Sequence, residues 1–321
     1  MNVIPVDFRA LHHAGSNHAH GEPYESPPAL SAVKLGATLY VPASRPDLAA
    51  IASGRKAPGL RSVIFCTEDA VHERDLEQAL ASLAALLPEL APGALLRFIR
   101  PRNPAVLRRL LRLDGIERVQ GFVLPKFGPH TLGDWLRVWD DCYGHSILPI
   151  LETAEALDRR KMELLRDRLE DCGLQGRVLG LRIGGNVLLN LLGIRRARGA
   201  TIYDTPLRQV IAELVCIFRP AGYSLSAPVF ERLDTPEVLA REVEADLQHG
   251  LMGKTAIHPA QIPVIEALYR VSREDYEMAM AVLAADAAAV FKLHDTFCEP
   301  ATHHRWAVDV MERVRVFGVA V

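Results

Sequence analysis

The chain has 321 residues, of which 49% are hydrophobic and 24% are charged, and its formal net charge is −2 at pH 7. This length allows two average domains or one α/β barrel with additions. The nearly neutral charge argues against nucleic acid or an anionic membrane as a partner, and no apolar run approaches the roughly 20 residues that a membrane span needs.

The cysteines and the first residues predict a cytoplasmic protein. The five cysteines are odd in number and widely spaced, and they contain no Cys-x-x-Cys pair. This usage is typical of reduced thiols and argues against a disulfide framework. Asp7 and Arg9 stand among mixed residues at the start of the chain, which therefore lacks the apolar stretch of a secretory signal.

Residues 1–35 are interpreted as an N-terminal arm. They are rich in His, Pro, Gly and Ser, and His12, His13, His18 and His20 lie close together. A metal-binding tail is one interpretation. A surface arm is favoured, because the histidine spacing defines no site.

Alternating apolar runs and helical stretches predict eight strand–helix units in residues 36–270. The predicted strands are Ala37–Ala43, Ser62–Cys66, Ala94–Arg100, Gly121–Lys126, Ser146–Glu152, Val178–Gly185, Ser224–Glu231 and Leu251–Ile257. The helices between and after them include Pro46–Ser53, His72–Leu87, Pro104–Leu113, Leu132–Tyr143, Ala154–Cys172, Pro236–His249 and Pro259–Tyr269. Eight units favour a closed (β/α)8 TIM barrel. An open doubly wound sheet is the alternative, but the Gly-x-Gly-x-x-Gly motif is absent after the first strand.

Residues 271–321 predict a C-terminal helical extension. A long helix is expected from Glu274 to about Leu293, and the tail from His294 to Val321 has only weak periodicity. The tail could pack on a neighbouring subunit or cap the barrel mouth.

Charged and polar side chains stand where the predicted strands end, which is where a barrel of this kind carries its catalytic groups. The clearest case is Glu152, which ends the apolar run Ile147-Leu-Pro-Ile-Leu-Glu-Thr153. The other candidates at strand ends are Arg45, Glu68, Asp69, Arg100, Lys126, Asn186, His258 and Gln261. Carboxylates with other oxygen donors suit Mg²⁺, and arginine suits a substrate carboxylate or a developing enolate.

Each candidate also has a structural interpretation. Glu68 and Asp69 could serve a helix N-terminus, Arg100 could be a solvated strand end, and Lys126 could form a structural ion pair. His258 precedes Pro259 and could hydrogen-bond the backbone at a helix entry. Glu152 is hardest to explain structurally.

Five motifs in register resemble the HpcH/HpaI aldolase and citrate lyase β-subunit superfamily, in its carbon–carbon bond lyase branch. They are Leu39-Tyr-Val-Pro-Ala-Ser-Arg-Pro46, Thr67-Glu-Asp-Ala-Val71, Leu124-Pro-Lys126, Leu151-Glu-Thr-Ala154 and Gly253-Lys-x-x-Ile-His-Pro-x-Gln261. The resemblance covers residues from about 36 to 290 and implies a TIM barrel, usually a homo-oligomer, that cleaves or forms a carbon–carbon bond next to a carbonyl. Its substrates would be oxo- or hydroxy-acids, or their thioesters of coenzyme A or an acyl carrier.

The resemblance also assigns roles by position. Glu152 matches the metal-binding glutamate, Arg100 matches the arginine that holds substrate oxygens, and Glu68 with Asp69 matches the acidic pair of the second strand. Arg97 is the fallback for Arg100 if the strand is shifted.

Two departures from the family pattern bear on metal binding. Val187 stands where the family has a second metal-binding aspartate, and Cys66 replaces the usual leading aspartate of the second strand. A valine cannot bind a cation, so a weakened Mg²⁺ site is expected, with Asn186, Asp69 or substrate oxygens completing the coordination.

Three functions follow as hypotheses. The first is a lyase or aldolase that works through a Mg²⁺-stabilised enolate. The second, motivated by Val187, is a catalytically impaired barrel that binds a small acid or thioester as a regulatory or scaffold subunit. The third is an acyltransferase or synthase that runs the same chemistry in the condensing direction.

Overall fold

The computed structural model describes residues 30–57, 59–139 and 144–320. The described chain from Ser31 onward is one compact unit, built on eight parallel strands with helices between them. The predicted TIM barrel is confirmed. The four N-terminal histidines singled out above lie outside the described residues, as does the end of the predicted helix Leu132–Tyr143.

The strands and helices alternate along the barrel and are followed by a helical extension with a small hairpin. The barrel strands are β1 Ala37–Pro42, β2 Ser62–Cys66, β3 Leu96–Arg100, β4 Gly121–Leu124, β5 Ser146–Leu151, β6 Leu181–Ile183, β7 Leu225–Ser226 and β8 Lys254–Ala256. The barrel helices are α1 Leu48–Ala52, α2 Leu76–Leu86, α3 Pro104–Leu110, α4 Leu132–Trp139, α5 Arg159–Asp171, α6 Gly185–Leu191, α7 Leu207–Phe218, α8 Pro236–Gln248 and α9 Gln261–Leu268. The extension comprises α10 Arg273–Val282, β9 Phe291–Leu293, β10 Thr296–Cys298 and α11 Pro300–Phe317.

The strands form because both of their faces are covered. Every residue of β2, from Ser62 to Cys66, is fully buried, as expected for a parallel strand between a barrel interior and a layer of helices. Helix starts are also encoded locally. In α3, Asn103 accepts a hydrogen bond from the N–H of Val106, and Pro104 occupies the first helical position, which is the preferred arrangement at a helix N-terminus.

The last strand, β8, closes the barrel by pairing on both of its sides. β8 pairs with β1 in parallel, and a bridge between Ala227 and Lys254 joins it to the segment after β7. The register aligns Pro42 with Cys66 and Cys66 with Arg100. The carboxyl ends of the strands therefore lie together at one end of the barrel, which we call the mouth.

Several strands are shorter than the sequence predicts. β6 ends at Ile183 because the backbone turns at Gly184 and α6 starts at Gly185, whereas the apolar pattern extended the strand through Gly185. β7 comprises only Leu225 and Ser226. Apolar composition continues past the point where strand pairing stops, since loops at the mouth are also buried.

The prediction of one long helix from Glu274 to about Leu293 is wrong. α10 ends at Val282, and the chain then forms the β9–β10 hairpin. The two turn residues, His294 and Asp295, have φ of 49° and 57°, which matches the two-residue turn that suits the twist of a hairpin. The alanine-rich residues 284–289, whose composition favours helix, form turns and loop between α10 and this hairpin, because tertiary context overrides a weak local propensity.

The C-terminal helix α11 lies at the end of the barrel opposite the mouth. Arg61, just before β2, donates to the carbonyl of Val316 and stacks on Phe317, with 4.7 Å from its guanidinium carbon to the ring centroid. α11 also packs on α10 around a separate apolar cluster that includes Met278 and Val310. The expectation that the tail could cap the mouth is therefore wrong, whereas packing on a neighbouring subunit stays a prediction.

Two further features concern cysteines and membranes. Within the described ranges Cys66, Cys172, Cys216 and Cys298 are free thiols. No helix in those ranges combines the length and apolar character needed to cross a membrane.

Candidate active site

The register of β2 and β3 brings Arg100 against Cys66. Nε and Nη2 of Arg100 lie 3.2 and 3.0 Å from the sulfur of Cys66, and Nη1 lies 3.1 Å from Oε2 of Glu68. Burial works to lower the pKa of Arg100, but Cys66, Tyr40 and Glu68 raise it overall, so the guanidinium stays charged. A guanidinium has five N–H donors, so at least two remain for a ligand.

Lys126 connects the carboxylates of two strands. Its ammonium lies 2.8 Å from Glu68, 3.3 Å from Asp69 and 3.7 Å from Glu152. Its backbone has φ of 52°, a left-handed conformation that costs a non-glycine residue on the order of 1 kcal/mol and is often found at functional sites. This conformation lets the backbone N–H of Lys126 donate to Oε1 of Glu152 at 2.9 Å.

Glu152 is buried, with 3% of its surface exposed. Burial raises the pKa of this carboxyl, and the charges of Lys126 and Arg100 only partly oppose that effect. Gly184 provides the space, because a Cβ at that position would lie 2.4 Å from the Cβ of Glu152. The glycine that follows β6 is therefore required by the glutamate side chain that follows β5.

These groups surround a cavity of about 350 Å³ at the mouth. We call it the main cavity. Arg100, Glu152 and Asp69 line it, together with Asn186 and Val187 from the start of α6. The structure therefore brings together six residues that the sequence singled out: Arg100, Glu68, Asp69, Lys126, Glu152 and Asn186.

Sequence reasoning missed three residues that bring polar side chains to the main cavity: Tyr40, Arg182 and Thr255. Nη2 of Arg182 donates to the hydroxyl of Thr255 at 2.6 Å. Tyr40 lies between two arginines, with 5.0 Å from the guanidinium carbon of Arg100 to the ring centroid and 5.4 Å from that of Arg182. Burial raises the pKa of Tyr40, so its hydroxyl stays protonated. The signal for Arg182 was a charged residue within the apolar strand Leu181–Ile183.

Arg45 and His258 lie at a second cavity of about 380 Å³, which shares Tyr40 and Ile257 with the main cavity. Arg45 forms a two-pronged ion pair with Asp47 at 2.7 and 2.8 Å. Nδ1 of His258 accepts a hydrogen bond from the N–H of Ala260 at 3.2 Å, which is the helix-entry role noted as the structural interpretation. Neither side chain lines the main cavity.

Two predicted positions are corrected. Gln261 is buried and lines neither cavity. Its amide donates to the carbonyl of Phe230 at 2.7 Å and accepts from the N–H of Ile257 at 2.9 Å, so both of its polar ends are used by the backbone. Arg97, the fallback for Arg100, faces away from the barrel interior and donates to the carbonyls of Ala52 and Ala91.

The donor set at Glu152 is chemically compatible with Mg²⁺. Oε2 of Glu152 accepts no hydrogen bond from the described residues, and Asn186 lines the same cavity. The described ranges contain no group of three or more His, Cys, Asp or Glu side chains arranged to hold a metal, and Val187 adds no donor. Mg²⁺ is commonly bound through one or two carboxylates together with substrate oxygens and water, and Glu152 would supply the carboxylate of such a site.

A family model of carbon–carbon bond lyases of the TIM-barrel fold matches residues 29–319. The chain belongs to this carbon–carbon bond lyase family. This match confirms the carbon–carbon bond lyase branch that the sequence motifs indicate. No sequence among the curated proteins matches it.

Solved structures share the fold of this lyase-family chain. A citrate lyase from Burkholderia xenovorans LB400 is 20% identical with a TM-score of 0.68, over 91% of this chain and 97% of that one. The CitE protein of Mycobacterium tuberculosis, in complex with magnesium, acetoacetate and coenzyme A, is 23% identical with a TM-score of 0.66, over 88% and 99%. The citrate lyase β subunit of the same organism, complexed with oxaloacetate and magnesium, is 21% identical with a TM-score of 0.56, over 74% and 99%.

Proposed function

We propose that this chain is a carbon–carbon bond lyase that acts on an oxo- or hydroxy-acid, either free or as an acyl thioester. The observation that carries the proposal is the convergence of Arg100 and Glu152 on one cavity at the carboxyl ends of the strands, with the Lys126 ammonium held beside Glu68 and Glu152. Breaking a bond next to a carbonyl places negative charge on oxygen, and cations already held in position stabilise that charge as it develops.

Each residue of the site has a distinct role in this proposal. Arg100 binds the substrate oxygens with its remaining N–H donors. Glu68 is a positioning residue, because its carboxylate holds both Arg100 and Lys126. Tyr40, which stays neutral, donates a hydrogen bond from its hydroxyl to the substrate.

Glu152, helped by Asn186, would hold the Mg²⁺. When bound, this cation would supply further positive charge beside the substrate oxygens. Magnesium accompanies small acids in the related CitE and citrate lyase β-subunit structures, which supports this part of the proposal. Asp69, at the rim of the cavity, is available to orient water or a metal ligand.

The second cavity supports the thioester form of the substrate. It adjoins the main cavity and is lined by Arg45, Lys56 and His258. Asp47 pairs with both Arg45 and Lys56, and an anionic carrier group would compete with it for these cations. The related CitE structure contains coenzyme A. A homo-oligomer and a cytoplasmic location stay predictions.

The test is turnover of candidate acids by the purified protein with Mg²⁺. Free acids and their coenzyme A thioesters are incubated, and release of pyruvate, glyoxylate or an acetyl thioester is measured. We expect turnover by the wild type and a loss of about 100-fold or more in Glu152→Gln. Absence of turnover across both substrate forms, or equal rates in the two proteins, would refute the proposal.

A second candidate function is favoured by Val187. This residue lines the main cavity where a second carboxylate would strengthen metal binding, so the barrel could bind an acid without converting it. In that case Val187→Asp would create activity in a chain that has none. Strong activity of the unaltered chain would exclude this function.

A further inference from the structure

Arg182 is a buried cation without an anionic partner in the described part of the chain. Only 2% of its surface is exposed. Its Nη2 donates to the neutral hydroxyl of Thr255, and its Nη1 is buried without a hydrogen-bond partner. A charge removed from water is costly unless it is paired. This arginine therefore lacks the compensation that a purely structural charge normally has.

The side chain of Arg182 points into the barrel. β6 is hydrogen-bonded to β5 and β7 only, yet Arg182 contacts Thr255 of β8 and Tyr40 of β1. Because those strands are not neighbours of β6, the contacts must cross the barrel interior. Arg182 also precedes the last residue of β6, Ile183, so it lies deeper than the strand ends.

The other charges of the main cavity already have partners. Glu68 pairs with Arg100 and Lys126, and Lys126 also lies near Asp69 and Glu152. No carboxylate among the described residues forms an ion pair with Arg182. The guanidinium is instead held against one face of the site by Thr255 and by the ring of Tyr40, which fixes its position without neutralising its charge.

We propose that Arg182 determines substrate specificity by binding a second carboxylate. In this assignment one carboxylate of a short dicarboxylic acid is held at Arg100, and the other is held at Arg182. The shared contact of both guanidiniums with the ring of Tyr40 keeps them within reach of one small molecule. The inference narrows the substrate class of the proposed function, on which it rests, to acids with two carboxylates.

The test compares two unreactive acids of equal carbon number by isothermal titration calorimetry. Succinate carries two carboxylates and butyrate carries one. We expect the wild type to bind succinate at least about 10-fold more tightly than butyrate. Arg182→Met should remove that preference, and Arg182→Lys, which keeps the charge, should retain part of it.

Arg97→Met is the matched control, because Arg97 is a buried arginine that faces away from the cavity. It should keep the preference for succinate. Thermal unfolding adds a second readout: Arg182→Met should be at least as stable as the wild type if the arginine serves a ligand, whereas loss of a structural arginine would lower the melting temperature.

The outcomes separate this inference from the proposed function. Equal binding of the two acids by the wild type, binding of neither, or a succinate preference that survives in Arg182→Met would each overturn the inference. Absence of turnover combined with an Arg182-dependent succinate preference would overturn the lyase function and leave the dicarboxylate site in place.

Discussion

Two buried charge clusters occupy opposite faces of strand β8, and they differ in completeness. The outer cluster, between the barrel and α8, comprises Arg196, Lys254, Glu231, Glu242 and Asp246. Lys254 lies 2.9 and 2.8 Å from Glu242 and Asp246, and Arg196 lies 3.1 and 3.3 Å from Glu242 and Glu231. Every charge in the outer cluster has a partner of opposite sign.

The inner cluster lies at the mouth and comprises Arg100, Lys126, Glu68, Glu152 and Arg182. Its charges are not all paired. Arg182 has no carboxylate partner within the described ranges, and Oε2 of Glu152 accepts no hydrogen bond there. Neighbouring residues of one strand serve the two clusters, since Lys254 points outward and Thr255 points inward. Complete pairing of charges suits a cluster that stabilises the fold, whereas the unpaired guanidinium of Arg182 suits the ligand-binding role proposed above.

The strongest test of this contrast is Lys254→Met. Removing the cation leaves Glu242 and Asp246 buried with too little positive charge, so the free energy of unfolding should fall by about 3–5 kcal/mol. Chemical denaturation measures the change, and Lys292→Met, which removes an exposed ion pair with Asp295, should have no measurable effect. Stability close to that of the wild type would show that the outer cluster is not structural.

Gln261→Met tests a residue that the sequence predicts to bind substrate, whereas in the structure its side chain hydrogen-bonds the backbone. Two hydrogen bonds to backbone groups are lost, of which the one to Phe230 is buried, so the free energy of unfolding should fall by about 2 kcal/mol. Affinity for succinate, measured on the folded variant, should be unchanged. Weakened binding at unchanged stability would return Gln261 to the substrate-binding role that the sequence predicts.

Val187→Asp adds a second carboxylate to the inner cluster, at a residue that lines the main cavity together with Glu152. A second carboxylate beside Glu152 should raise Mg²⁺ affinity at least 10-fold, or about 1.4 kcal/mol. Calorimetric titration with Mg²⁺ measures the affinity, and Val187→Asn, of similar shape but uncharged, is the control. Equal affinities in Val187→Asp and the wild type would place the metal, if any, away from Val187.

Glu152→Gln should change stability by less than about 1 kcal/mol near neutral pH, although it abolishes the proposed activity. Burial raises the pKa of Glu152 above its ordinary value of 4.5, so ionisation is less favourable in the folded state than in the unfolded chain. The contribution of Glu152 to stability is therefore greatest at pH values below 4.5. It is lost as the pH rises through the raised pKa.

The measurement is the free energy of unfolding of both proteins across this pH range. The stability of the wild type relative to Glu152→Gln should decline with rising pH and then level off. Glu163→Gln, which alters an exposed carboxylate paired with Arg159, should show no such decline. If the wild type instead became more stable relative to Glu152→Gln as the pH rises, the site would stabilise the charged carboxylate.

Much of the architecture could be predicted from local pattern. The sequence predicts the exact bounds of β2, because the short length of this apolar run and its β-branched and aromatic residues favour a buried strand over a helix. The strand-end positions of Glu68, Arg100 and Glu152 followed from the same runs, because parallel strands share one carboxyl end. The alanine-rich residues 284–289 form turns and loop instead of the predicted helix, since a local propensity is a weak guide where tertiary context decides the structure.

The sequence by itself determined the barrel and the order of charged groups around its mouth, because burial periodicity and strand ends are local properties of the chain. Only the tertiary structure decided which charges meet: that Gln261 is taken up by the backbone, that Lys254 points outward, and that Arg182 crosses the barrel to Tyr40. A side chain's partner depends on the inward or outward alternation of its strand and on distant neighbours. Residues far apart in sequence share an electrostatic environment only once the barrel has closed.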